Sequence, residues 1–471
     1  VIRVEVPAEG LTPAERYGLD TLIDLSGLLR VEDPAAPVVS LHLTPDPAPL
    51  ADVITGFVVR GADGALRIPR AMLAHVTAIA GAGAEQASGQ RDHHGRVPTS
   101  ANPLVTAGAD RLPIVSMWAR ALSKGAKLVA GNRVVRCVSP WPDRRRWAAA
   151  FTHDVDVMNG WPAFTALRLA ELIRAGEGRR AGRVMAAAVR HAFRSPALDG
   201  INEVIRSEAA RGVRATWFFL CGSPTLSRWM AGDVTYDVRS PRARQVMTFL
   251  DARQHEVGVH GTFATSADTS AFERERIRLA AATGGPGARG IRQHFLKMRP
   301  GVTQRPMREA GFAYDATYGF PDRNGFRLGV ADIVAGWDAQ DGQSTSLDEV
   351  PLHWMDRAQS KYQGIEDPQA WVADALELAS QCKQVEGLWV GLWHPNLTPA
   401  LGYPDAPAAY AELLGAIVED PNRPHVDTLE QLVAWRRRRR AARARRVAGD
   451  GTVEWESPPV PLEDAEGRPI D

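Results

Sequence analysis

The chain has 471 residues, 45% of them apolar and 24% charged, with a formal net charge of +1. The length exceeds one ordinary domain, and the composition is globular, which excludes a disordered or low-complexity chain. The balanced charge excludes an overall bias toward nucleic acid or acidic membranes, and no run reaches the roughly 18 uncharged apolar residues of a membrane span.

Residues 1–143 read as a first, smaller α/β domain of unassigned role. Helices are expected over Pro13–Leu29, Pro69–Ala80 and Pro113–Gly125, with short strands at Val38–Leu43 and Leu128–Ala130. The stretch Ala82–Asn102 is rich in Gly, Ser, Asp and Pro and reads as a solvated loop. Its adjacent His93 and His94 point apart on any regular backbone, so a shared metal is not expected there. Ser139-Pro140-Trp141-Pro142-Asp143 is a stiff junction. Beyond it strands and helices alternate through residues 144–435, the pattern of an α/β layer or barrel. Strands are expected at Trp147–Thr152, Ala215–Leu220, Glu256–Val259, Gly290–Phe295, Ala313–Ala316, Glu349–Leu352 and Leu388–Trp393. Helices are expected at Pro162–Arg174, Ile201–Ala210, Ala243–Arg253, Phe272–Ala281, Val302–Ala310, Asp367–Gln384 and Pro407–Val418, with the last starting at Thr428. Glu273 to Arg276 read as an exposed helix face.

Residues 436–471 form the last section. Arg436 to Arg446 holds eight arginines in eleven positions, which predicts a solvated helix end or arm, with contact to a polyanion as the functional alternative. Val447–Asp471 is acidic and proline-containing and is expected to be disordered. Cys137, Cys221 and Cys382 stand far apart without CxxC spacing. They read as small core residues of a protein from a reducing compartment. The opening residues lack the basic and apolar pattern of a secretory leader, so a cytoplasmic location is expected.

Four strand ends carry chemistry. In Thr152-His153-Asp154-Val155-Asp156 two carboxylates lie two apart and face one point, a costly arrangement without a cation or proton between them. His260 in Glu256-Val257-Gly258-Val259-His260-Gly261 follows a strand and offers a neutral imidazole as a metal ligand. Arg292 and His294 share one face of Gly290–Phe295, and an arginine beside a carboxylate keeps it ionised and oriented. His394 ends the apolar strand Leu388–Trp393, placed to give a proton to a leaving amine. The C-terminal rim of an α/β barrel is where such sites are built.

In order and spacing these motifs resemble the polysaccharide deacetylase (NodB-homology, carbohydrate esterase family four) superfamily. Gly311-Phe312-Ala313-Tyr314-Asp315-Ala316-Thr317 is similar to the stretch that follows the Arg motif there. The closest resemblance is to a bacterial subgroup with an extra N-terminal domain and an Arg-Gln-His-Phe/Tyr-Leu form of that motif. The resemblance spans about residues 146–435. It implies a distorted (β/α)7 barrel, one divalent metal ion such as zinc, and hydrolysis of a carbon–nitrogen, non-peptide bond: removal of N-acetyl groups from a carbohydrate or glycan precursor. It implies Asp154 as general base, Asp156 and His260 as metal ligands, Arg292 as the residue orienting Asp154, and His394 as general acid.

The sequence departs from the family where a second ligating histidine is usual. Ala264 stands there, and His294 is expected to supply the third ligand. The Asp pair is also split by Val155, as in relatives that hydrolyse cyclic amides, so a non-sugar carbon–nitrogen substrate is the alternative. A catalytically silent glycan-binding barrel is a further one. Trp161, Tyr318, Phe320, Asp322 and Phe326 follow rim positions and are expected either to line a sugar site or to pack.

Overall fold

The computed structural model describes residues 2–5, 10–31, 39–54, 59–60, 65–131, 135–158, 161–190, 194–447, 452–464 and 468–470. Two large sheets and a small three-stranded one organise the described residues. The larger has ten strands. In order across it run Val334–Asp338, Gln343–Glu349, Tyr314–Asp315, Gly290–Gln293, Glu256–Gly261, Thr216–Leu220, Ala148–Val155, Leu388–Leu392 and Trp354–Met355, with His425–Val426 pairing the start of Ala148–Val155. All pairs are parallel except the hairpin Val334–Asp338/Gln343–Glu349. Strands buried on both faces of such a sheet read as unbroken apolar runs. Ala148–Val155, Thr216–Leu220 and Leu388–Leu392 are buried at every position. Helices Pro196–Ala209, Pro368–Gln384 and Ala406–Val418 cover the sheet, and their apolar faces meet Trp217, Phe219, Trp389 and Trp393 in one core. The expected distorted barrel is therefore the observed architecture. Among the described residues no ladder joins its Val334–Asp338 and Trp354–Met355 edges.

Parallel register aligns the strand ends that matter. Arg292 lies beside His260, His260 beside Leu220, and Thr152 beside Leu392. The loop after His394 is held by close backbone approach. A side chain at Gly200 would place its Cβ 1.9 Å from the carbonyl oxygen of Pro395, so only glycine lets the helix lie there.

The second sheet holds Ile2–Glu5, Arg30–Val31, Val39–Thr44, Val59–Arg60 and Leu66–Pro69, covered by helices Pro13–Ser26, Ala71–Ala80 and Ile114–Ala130. Thr12 and Glu15 form a reciprocal cap on Pro13–Ser26, and Arg70 ties down the same glutamate. Leu128–Ala130, expected as a strand, is instead the last turn of Ile114–Ala130. Three apolar residues continue the helical face there, and Leu128 itself is exposed. Glu349–Leu352 likewise begins as the end of a longer strand, Gln343–Glu349.

The C-terminal section departs most from expectation. Arginines 436–440 complete helix Leu429–Ala441, and Arg443–Val447 then enters the second sheet, parallel to Arg30–Val31 and antiparallel to Val453–Trp455. Leu462–Glu463 pairs Cys137–Val138. Arg436 is fully buried, 2.7 Å from Asp332, while Arg440 bridges Asp24 and Asp348 and Arg437 pairs Asp348. Carboxylates from three separate stretches thus answer much of the charge that sequence reasoning assigned to solvent. Glu275 is a similar correction. The helix face expected to be exposed turns this carboxylate inward, where it accepts hydrogen bonds from the Thr262 hydroxyl and amide. The three cysteines are free and buried.

Candidate active site

Asp154 is the penultimate residue of its strand, and Asp156 directly follows that strand. His260 sits within Glu256–Gly261, Arg292 within Gly290–Gln293, and His394 two residues beyond Leu388–Leu392. The predicted strand Gly290–Phe295 stops at Gln293. A short 3₁₀ turn follows, and Phe295 adopts a left-handed conformation at φ 58°. His294 is therefore delivered by a turn rather than by alternation along a strand. All six side chains converge at one mouth of the barrel.

Arg292 is completely buried. It donates to Asp154 Oδ1 at 3.0 Å, to the Thr152 hydroxyl at 2.9 Å and to the Ala316 carbonyl at 3.0 Å, and its guanidinium lies over the Phe218 ring. That holds the Asp154 carboxylate in place against a fixed positive charge. The other Asp154 oxygen is 3.6 Å from His260 Nε2. His260 Nδ1 is 2.9 Å from the Arg292 carbonyl, an acceptor only, so Nδ1 holds the proton and Nε2 is left for the cluster.

His260 Nε2 lies 3.3 Å from Asp156 Oδ1, and His294 Nε2 lies 3.7 Å from the same oxygen. Asp156 Oδ1 is buried and receives no aligned hydrogen bond from the protein. Ligand atoms of Asp156, His260 and His294 all fall within 4.8 Å of one another. Imidazole nitrogens and a carboxylate oxygen face each other here. Burial pulls His260 toward neutrality, but the charges of Asp154 and Asp156 outweigh it and raise its affinity for a proton; a metal cation answers the same negative charge. One carboxylate and two imidazoles are the donor set that a catalytic zinc site uses. The residues present thus fit a divalent metal, and His294 stands where Ala264 leaves the set one ligand short. Asp233 Oδ1 is 3.5 Å from His294 Nδ1.

His394 is held by a residue that sequence reasoning missed. Asp356 takes hydrogen bonds from both its Nδ1, at 2.6 Å, and its backbone amide, at 2.7 Å. Nε2 then faces Asp156 Oδ2 at 3.6 Å. Burial pulls this imidazole toward neutrality, but the charges of Asp356, Asp156 and Asp154 outweigh it and raise its affinity for a proton. Beneath the site, His153 accompanies the cluster. It lies 2.8 Å from the Glu208 carboxylate and 2.9 Å from the Trp393 carbonyl, joining the strands that carry Asp154 and His394.

The cluster opens into a cavity of about 250 Å³ whose other walls include Arg96, Phe164, Phe295, Arg357, Lys361 and Tyr362. None of these was expected. Arg96 comes from the loop read as solvated. It bonds Asp92 and the Phe295 carbonyl, and neighbouring His94 stacks on the Phe295 ring. His93 and His94, expected to point apart, instead bring their ring centroids within 3.9 Å of each other, because they sit in a turn rather than on a regular strand or helix. Trp161, Tyr318, Phe320, Asp322 and Phe326 do not line the cavity. Tyr318 and Phe326 pack in the core, and Asp322 accepts a bond from Thr99.

No protein-family model matches the chain, and no curated protein matches it. Solved structures similar to it include one described as a polysaccharide deacetylase from Mycobacterium smegmatis, at 22% identity and a TM-score of 0.41, covering 63% of this chain and 92% of that one. A second, described as a polysaccharide deacetylase from Pseudomonas aeruginosa PAO1, is 14% identical with a TM-score of 0.42, covering 65% and 96%. The peptidoglycan deacetylase PdaC from Bacillus subtilis is 13% identical with a TM-score of 0.30, covering 62% and 93%. Among the described residues no helix is long and apolar enough to cross a membrane.

Proposed function

We propose that the protein is a metal-dependent hydrolase of the polysaccharide deacetylase superfamily that removes N-acetyl groups from a carbohydrate or glycan precursor inside the cell. One observation supports this above the others: at one rim Asp156 lies 3.3, 3.7 and 3.6 Å from His260, His294 and His394, and Asp154 lies 3.6 Å from His260. Asp156, His260 and His294 hold the metal, zinc by the donor set. When bound, the ion supplies Lewis-acid polarisation of the amide carbonyl and a more acidic water. Asp154 takes the proton from the attacking water, and Arg292 keeps Asp154 aimed. His394 gives its proton to the departing amine nitrogen, and Asp356 holds its ring so that Nε2 faces the reacting centre. The division of the chain into residues 1–143, the barrel 144–435 and a C-terminal section belongs to the same proposal.

The cavity, of about 250 Å³, has room for a single sugar unit beside the ligand residues. It equally suits a small cyclic amide, the second reading, which the split Asp pair also favours. Acetate release from a panel of N-acetylated sugars, with and without chelator, tests the first. Chelator-sensitive acetate production supports it. Ring opening of a cyclic ureide without acetate release from any sugar replaces it with the second. Metal-free protein that binds sugar without turnover leaves a silent barrel.

A further inference from the structure

We infer that the substrate carries an anionic group, a carboxylate or a phosphate, that docks on Arg357 and Lys361 at the wall of the cavity that also holds the metal ligands. The inference rests on the reading of this cavity as the substrate site, and it adds the substrate's charge class.

Charge in the cavity does not cancel. Among the described residues the only carboxylates lining it are Asp154 and Asp156. Arg292 already answers Asp154, and Asp156 faces three imidazoles. Of the three cations on the walls, Arg96 is spent on Asp92. Arg357 and Lys361 remain. Arg357 is half-buried, and its one side-chain hydrogen bond goes to the neutral Tyr403 hydroxyl, at 2.7 Å. Arg168, Arg305 and Arg437 are comparably buried, and each reaches a carboxylate. Lys361 stands over the rings of Phe295 and Tyr362, at 5.5 Å and 5.6 Å, with no carboxylate in ion-pair range among the described residues. A partly desolvated guanidinium without a counter-charge is costly, and a bound anion removes the cost.

The backbone places these cations relative to the chemistry. Asp356, which fixes the acid His394, is followed directly by Arg357. Lys361 then comes from a π-helical turn over Ala358–Gln363, a conformation concentrated at functional sites. One short segment therefore orients the proton donor and presents the charge, so an anion held there stands at a set distance from the scissile bond. Phe164, Phe295 and Tyr362 supply apolar walls for a ring between them. A neutral N-acetylhexosamine would fill this space and leave both cations unanswered.

The test measures calorimetric binding and acetate release together, on the full chain. The probes are N-acetylglucosamine, its 6-phosphate, and N-acetylmuramic acid, whose lactyl group is a carboxylate. The proteins are wild type, Arg357→Gln, Lys361→Gln and the double variant. At least one charged probe is expected to bind wild type about tenfold or more tighter than the neutral sugar. That advantage should shrink in each single variant and vanish in the double, with affinity for the neutral sugar retained. The tighter of the two charged probes identifies the anion. Lys361 is exposed, so its variant folds even if Arg357→Gln does not. Equal binding of neutral and charged probes overturns the inference, as does a charge preference that survives in the double variant. Selective binding of a charged probe without acetate from any sugar upholds the anion site and removes the deacetylase reading. Acetate released equally from neutral and charged sugars does the reverse.

Discussion

The segment with the most arginine and the two isolated cations in the cavity behave in opposite ways. Arg436, Arg437 and Arg440 belong to a run that reads as a solvated arm, yet Asp24, Asp332 and Asp348 answer them at the seam between the two sheets. The same seam holds Arg327 against Glu85, both buried and paired at 2.6 Å, with Asn102 donating to the same carboxylate. Arg357 and Lys361 stand in an unremarkable stretch of sequence and meet no carboxylate among the described residues. Charge density along a chain says little about exposure, because counter-charges arrive from distant segments. A cation left without one inside a cavity is the better marker of a ligand.

The comparison predicts that site residues and seam residues fail differently. Asp154→Asn keeps its shape and loses the base, so acetate release should fall by about 10³-fold or more in the folded protein. It also leaves the buried Arg292 without its carboxylate and should lower the melting temperature; a folded variant that keeps its turnover would make Asp154 a structural residue. At the seam, Glu85→Ala leaves Arg327 buried and unpaired. It should cost about 3–5 kcal/mol in urea unfolding while kcat in the surviving folded fraction stays near wild type. Loss of turnover without loss of stability would break the contrast. Asp356→Asn removes the anchor of His394, and a drop of roughly 10²-fold in kcat with KM little changed is expected. His294→Ala sharpens the site side: metal per chain should fall, and unchanged stoichiometry would remove His294 from the ligand set.

The smallest effect at any one pH concerns two buried carboxyls away from the ligands. Burial pushes Glu256 and Glu275 from an ordinary 4.5 up to about 7, against the hydrogen bonds each accepts. A carboxyl whose folded-state pKa lies above its unfolded value gains a proton on folding. Stability from that proton is therefore present below about pH 4.5 and is lost as pH rises through 7. Each group contributes a slope of up to about 1.4 kcal/mol per pH unit in that window. Glu275→Gln should flatten the decline seen in denaturant melts between these limits; an unaltered slope would mean Glu275 titrates normally.

Much of the site was legible because it sits at strand ends. Asp154, Asp156, His260, Arg292 and His394 each follow an apolar run, and parallel strands bring such ends to one rim. The supporting residues lacked that signature. Asp356 lies 38 residues before His394 and reaches it only because Trp354–Met355 pairs Leu388–Leu392. Arg96 arrives from a loop with no periodicity. Glu275 looked exposed because its neighbours Arg274 and Arg276 are charged, and its partner Thr262 is remote in sequence. The C-terminal strands were hidden for a related reason: their pairing partners are Arg30–Val31 and Cys137–Val138, hundreds of residues away.

That last pairing bears on how the molecule is made. The sheet built around Ile2–Glu5 borrows Arg443–Val447, so during synthesis its outer ladder cannot close until Arg443, about 400 residues beyond Arg30, has emerged. Until then, the backbone groups of Arg30–Val31 that later pair with Arg443–Val447 wait on an open edge, a template for mispairing between nascent chains. Pieces cut at the apparent junction near Pro140 would each inherit half of that unfinished ladder. Mixing the two halves, rather than expressing either alone, is the arrangement that restores the seam.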